Sequence, residues 1–132
     1  VEKEYYLSGA LCIETPYVNG ERHGIKKFYY ESGALSGESP YVDGKEHGME
    51  KFYYESGALK YESPYENGRR HGIEKRYNKD KANIEYLVLY KENWKVASIK
   101  SNLVNSSASR SLVSTFSFLP PKAKYNSIKS FA

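Results

Sequence analysis

Three histidines and three glutamates recur at one spacing in this chain, and they are the first candidates for chemistry. His23, His47 and His71 stand 24 residues apart, as do Glu14, Glu38 and Glu62. Imidazoles gathered on one ion would make a metal site, whose ligand atoms must converge to about 2 Å from the metal. Paired carboxylates would make an acid/base site, which needs one raised pKa inside a cleft. A catalytic group is needed once, whereas these groups come in threes. Equivalent turns two strands apart lie roughly 10 Å from each other, too far to share an ion. The histidines therefore read as turn residues bonded to their own loops. The glutamates read as cross-strand partners of lysines such as Lys27 and Lys51. No nucleophile elbow, phosphate loop or Cys/His nucleophile pattern is present. Catalytic residues, metal ligands and cofactors are all expected to be absent, and the chain reads as non-enzymatic.

The spacing belongs to a repeat. Residues 5–28, 29–52 and 53–76 align as three copies, with 13 of 24 columns invariant. A fixed period in this range marks a stacked array. Within one copy the runs 35–42 and 49–54 are separated by Asp43-Gly44 and followed by Ser56-Gly57. Short aromatic and β-branched runs between such turns make hairpins, and glycine supplies the positive φ that the turns need. Alternation puts Leu35, Gly37, Ser39 and Tyr41 on one face. In the second run Met49, Lys51 and Tyr53 oppose Glu50, Phe52 and Tyr54, so both faces carry apolar residues. Glycine and proline recur too densely for helices. Pro16, Pro40 and Pro64 cannot donate to a ladder, which places each at a bulge that bends the ribbon once per copy.

The predicted fold is all-β. It is an elongated single-layer antiparallel meander of about nine strands built from double-hairpin repeats, ending near Ile99. At ~4.8 Å per strand and ~3.3 Å per residue, the sheet measures roughly 40 Å by 20–25 Å. The array spans residues 1–100, with 77–100 as a degenerate fourth copy closing one end. Residues 101–132 form a Ser-rich basic tail or capping segment, expected to pack on the sheet end and close it, although the composition alone also allows disorder. There the four-residue recurrence of Val104, Ala108, Leu112 and Phe116 fits a short helix, and Phe116 and Phe118 alternating with Ser fit a strand equally well.

Composition narrows the function classes. Residues 1–76 carry 11 Lys/Arg against 13 Asp/Glu, whereas residues 77–132 carry 9 against 3. The positive charge thus lies beyond the array's main body, and a basic repeat surface tracking nucleic acid is not expected. The lone Cys12 excludes a disulfide framework and a Cys-based zinc cluster, and reads as a small half-buried strand residue. No apolar run approaches the roughly 18 residues that span a bilayer, and nothing at the N-terminus reads as a signal peptide. The chain opens at Val1 rather than Met, as a processed chain or a piece of a longer one would. Fourteen tyrosines against one tryptophan suit a thin sheet with partly covered faces.

The segments Tyr17-Val-Asn-Gly-Glu-Arg-His-Gly24, Tyr41-Val-Asp-Gly-Lys-Glu-His-Gly48 and Tyr65-Glu-Asn-Gly-Arg-Arg-His-Gly72 alternate with Tyr-Tyr-x-Ser-Gly-Ala-Leu at 5–11, 29–35 and 53–59. In this pattern the chain resembles the MORN repeat family, in the variant form common in bacterial proteins. The resemblance implies an elongated sheet of hairpins that serves as a scaffold, a dimerisation surface, an appendage to an enzyme or a lipid-contact module. Some bacterial relatives are labelled antitoxin-like. Tryptophan is absent from the three copies, which tells against lipid contact through exposed Trp. The main expectation is a protein-interaction or scaffold module, with Tyr29, Tyr30, Tyr41, Tyr53, Tyr54 and Tyr65 as candidate contacts for another protein. A second copy of the chain is a further candidate partner. The alternative is an anionic membrane surface met by Lys79, Lys81, Lys91, Lys95 and Lys100.

Overall fold

Each copy of the repeat becomes two long strands and a short hairpin at one end. The computed structural model describes residues 1–80 and 83–100. Its strands are β1 (Glu2–Tyr5), β2 (Leu11–Thr15), β3 (Tyr17–Val18), β4 (Glu21–Arg22), β5 (Gly24–Tyr29), β6 (Leu35–Val42) and β7 (Lys45–Glu46). They continue as β8 (Gly48–Tyr53), β9 (Leu59–Glu66), β10 (Arg69–Arg70), β11 (Gly72–Tyr77), β12 (Ile84–Lys91) and β13 (Trp94–Lys100). The main sheet runs β1-β2-β5-β6-β8-β9-β11-β12-β13, nine antiparallel strands in chain order. This is the predicted meander. The predicted helix or strand in 101–132 lies outside the described residues, as does Lys81.

The prolines explain the short hairpins. Between Glu38↔Lys51 and Tyr41↔Glu46, two residues on β6 stand against four on the returning chain. The same mismatch recurs between Glu62↔Lys75 and Tyr65↔Arg70. Pro40 and Pro64 sit on the short side, where no N–H is available, and their carbonyls accept the backbone N–H of His47 and His71 at 3.0 Å. The ladder is thus broken once per copy, as expected of a bulge. Beyond the break the chain turns through Asp43 (φ 47°) and Gly44 (φ 80°), a pair suited to a two-residue hairpin of matching twist. The separate end hairpins β3–β4, β6–β7 and β9–β10 result.

The closing repeat shows the converse. Leu89 stands where Pro64 stood, so β12 pairs with β13 from Tyr86↔Lys100 to Lys91↔Trp94 with a single bulge. Leu87, Val88, Leu89 and Tyr90 are buried there, and Ile73, Val96 and Ala97 pack against Leu89.

Copies are tied to one another at three points. The Tyr6, Tyr30 and Tyr54 hydroxyls donate to the carbonyls of Tyr29, Tyr53 and Tyr77 at 2.7, 2.6 and 3.1 Å. The Tyr29, Tyr53 and Tyr77 hydroxyls donate to Glu14, Glu38 and Glu62 at 2.8, 3.2 and 3.0 Å. At the hairpin ends Gly44, Gly68 and Asn93 donate backbone N–H groups to Arg22, Glu46 and Arg70 of the preceding copy.

In the three copies the two faces differ in burial: Thr15, Ser39, Glu50, Ser63 and Glu74 share one face and are buried, while Ile25 and Met49 on the other are 51% and 43% exposed. In the closing repeat both faces are buried, Val88 and Tyr90 on the first and Leu87 and Leu89 on the other. Among the described residues no second layer of strands lies on the first face. We call it the inner face.

Candidate functional site: an aromatic and cationic row on the inner face

Pairing register brings one row of side chains across the whole inner face. It runs Ile13↔Phe28↔Gly37↔Phe52↔Tyr61 and continues Arg76↔Tyr86↔Lys100. Gly37 organises its middle. A Cβ there would lie 2.6 Å from the Phe52 ring, so the missing side chain lets Phe52 lie across β6. Phe28 and Phe52 consequently reach each other from strands two apart, with ring centroids at 5.5 Å. Phe52 then stacks on Tyr61 at 5.1 Å and 17° between planes. Such contacts add about 0.5–1.5 kcal/mol beyond area burial. Burial pushes the Tyr61 phenol well above its ordinary range.

Cations cover the remaining rings. Lys26 lies over Phe28 at 5.1 Å, Lys60 over Tyr54 at 5.8 Å and Lys100 over Tyr86 at 5.8 Å. Tyr54, Lys60, Tyr61, Arg70, Glu74 and Arg76 line a depression of about 270 Å³. At its floor Glu74, 1% exposed, accepts from Arg76 Nε at 2.6 Å and lies 3.9 Å from Arg70. Beside it Ser39 Oγ donates to Glu50 Oε1 at 2.9 Å, while Glu50 Oε2, Ser63 Oγ and Glu74 Oε2 are buried without a hydrogen-bond partner. Burial raises the Glu50 pKa, and the Ser39 hydrogen bond opposes the rise.

The six candidate tyrosines are all wholly or partly buried. Each hydroxyl is engaged: Tyr29 and Tyr53 on glutamates, Tyr30 and Tyr54 on carbonyls, Tyr41 on Glu46 at 3.1 Å, and Tyr65 by Arg70 Nε at 2.8 Å. Tyr41 is also covered by Arg22 at 4.8 Å from its ring, and burial pushes its phenol up to about 12. Of the six, Tyr54 lines the depression. Lys79, Lys91, Lys95 and Lys100 are exposed but spread out. Lys79 follows β11 and Lys91 ends β12, so the length of β12, roughly 25 Å, separates them.

The histidines correct one expectation. The Nδ1 atoms of His23 and His47 accept backbone N–H groups of Asp43 and Asn67 at 3.4 Å, in the next copy's turn rather than their own. The 24-residue spacing could not show this, because neighbouring turns coincide only after folding. No group of three or more metal-ligating side chains occurs among the described residues. The glutamates behave as read: Glu14, Glu38 and Glu62 alternate with Lys3, Lys27, Lys51 and Lys75 in one outer-face row. The hydrogen bond from Tyr29, aided by Lys3, lowers the Glu14 pKa. Sequence reasoning missed the inner row, although the contrast of Ile13, Gly37 and Tyr61 in one column was a signal.

The description "MORN repeat variant" matches residues 1–19, 22–43 and 46–67, three consecutive segments in step with the double strands. The chain belongs to the MORN repeat family. MORN repeats are generally protein- or membrane-lipid-interaction modules, and the repeat is a non-enzymatic type. Among curated proteins none matches the chain. Among solved structures, the crystal structure of TarM superposes with a TM-score of 0.50 at 16% identity over 76% of this MORN chain. The chain spans about a fifth of TarM, 19% of its length, and the likeness concerns the fold alone.

Proposed function

We propose that this chain is a non-enzymatic protein-interaction module that takes its partner on the inner face of the sheet. The observation that carries this reading is the continuous row of aromatic and cationic side chains, built over a glycine whose missing side chain makes room for Phe52. Interface hot spots are enriched in aromatic residues and arginine for the same reason: large contact area at low entropic cost. Of the six tyrosines, Tyr54 is proposed as a direct contact, and Tyr29, Tyr30, Tyr41, Tyr53 and Tyr65 contribute by fixing the frame. An antitoxin-like role, in which the captured protein is held inactive, is the narrower form of this proposal and rests on the family resemblance.

The membrane alternative is carried less far, because Lys79 and Lys91 lie at opposite ends of β12 rather than in one patch. Affinity capture with the full chain tests the proposal. A partner retained by Ile25→Ala on the outer face and lost with Phe52→Ala/Tyr61→Ala, circular dichroism unchanged, is the expected result. Salt-sensitive binding to phosphatidylserine vesicles without any retained protein would favour the lipid reading instead.

A further inference from the structure

Resting on that reading, we infer the chemistry of the partner: the C-terminal half of the row takes an acidic peptide segment of another protein. Three observations lead there. The first is unspent positive charge. Lys60 and Lys100 lie over the aromatic rings of Tyr54 and Tyr86, and among the described residues no acidic side chain forms an ion pair with either. Arg76 gives its Nε to Glu74 and leaves its side chain 50% exposed. Glu74, the acid on the depression's floor, is already shared between Arg76 and Arg70 and has no charge left to offer an incoming cation.

The second is geometry. Arg76, Tyr86 and Lys100 are directly opposite one another on β11, β12 and β13. Neighbouring backbones are therefore ~4.8 Å apart, which puts the Arg76 and Lys100 backbones about 10 Å from each other. An extended peptide advances ~6.6 Å per two residues, so carboxylates two to four residues apart on one side reach both. Lys60 flanks the same depression, whose volume of about 270 Å³ suits one or two side chains.

The third separates peptide from nucleic acid. Binding of single strands uses free ring faces on which bases stack. Here Phe28, Phe52 and Tyr61 use their faces on each other, and lysines cover Phe28, Tyr54 and Tyr86. Ring faces engaged in this way leave little for bases to stack on, whereas the ammonium groups suit carboxylates.

The test is panning of a displayed library of random 12-residue peptides on the full chain, followed by fluorescence anisotropy of the winners. The expected winners are rich in Asp and Glu with an apolar anchor. They bind at least tenfold more weakly when Glu and Asp are replaced by Gln and Asn, and at least tenfold more weakly to Lys60→Glu/Lys100→Glu. Lys45→Glu, on the exposed end hairpin, leaves them unchanged. Winners without acidic bias, insensitive to Lys60→Glu/Lys100→Glu but lost with Phe52→Ala/Tyr61→Ala, would overturn this inference and leave the interaction module standing. Displacement of the acidic winners by equimolar oligouridylate or by phosphatidylserine vesicles would overturn it too. No enrichment at all would sink both readings.

Discussion

Glu50 is where a single side chain departs most from what its position in a strand would suggest. It is 7% exposed, with Ser39 on one oxygen and no partner on the other. Glu46, Glu74 and Arg70 are the charged groups that bear on it, the two acids raising its pKa and the arginine lowering it, behind the larger effect of burial. A carboxyl whose folded pKa is raised adds stability below its unfolded value near 4.5 and loses it as pH rises through the folded value. Glu14, lowered chiefly by the Tyr29 hydrogen bond, behaves oppositely and loses its contribution as pH falls. Comparing Tm with Glu50→Gln isolates the first effect. The variant should gain on the wild type as pH rises above about 4.5, and a difference that stays constant with pH would show that folding does not raise the Glu50 pKa. Gly37 gives the second residue-scale prediction. Alanine in a strand ordinarily does better than glycine. At Gly37 the added Cβ would meet Phe52 at 2.6 Å, so Gly37→Ala should cost about 1–3 kcal/mol in urea unfolding. Stabilisation by the substitution would mean that Phe52 does not lie across β6.

At the scale of elements, the strand Leu35–Val42 was readable in full, because alternation and a terminal Asp-Gly turn both mark it. The end hairpins were not. Lys45–Glu46 and Arg69–Arg70 are two residues each, too short to carry a period, and only the break opposite Pro40 and Pro64 separates them from the next strand. The burial of Glu50 and Glu74 was equally hidden, since alternation assigns a face without saying which face will be buried. The outer-face charge row, by contrast, follows from register alone. Lys51 lies directly opposite both Glu38 and Glu62. Cross-strand pairs contribute roughly 0.2–1 kcal/mol each, and like charges opposite one another destabilise similarly. Lys51→Glu should therefore lower stability by about 1 kcal/mol at low salt and by less in 1 M NaCl, where screening acts within about 3 Å. A loss independent of salt would point to packing rather than charge.

Over the whole molecule, stability is distributed as in a one-dimensional array, where each copy touches only its neighbours. The three tyrosine ties and the turn-to-turn hydrogen bonds repeat nearly unchanged from copy to copy, so they set a uniform coupling along the sheet. Apolar burial is not uniform. Leu87, Val88, Leu89 and Tyr90 lie together on β12, whereas every residue of β1 is exposed. Local opening free energies follow contact and burial, so amide exchange should be slowest on β11–β12 and fastest on β1 and the β3–β4 hairpin. Substitutions should divide the same way. Leu89→Ala removes a buried side chain at the anchored end and should cost about 2–4 kcal/mol, lowering protection along the whole array. Leu11→Ala, on partly buried β2, should raise exchange in β1 and β2 while leaving β12 unchanged. Exchange rates that rise together everywhere in both variants would mean a single cooperative unit. The end hairpins and prolines would then be shaping the ribbon without dividing its unfolding.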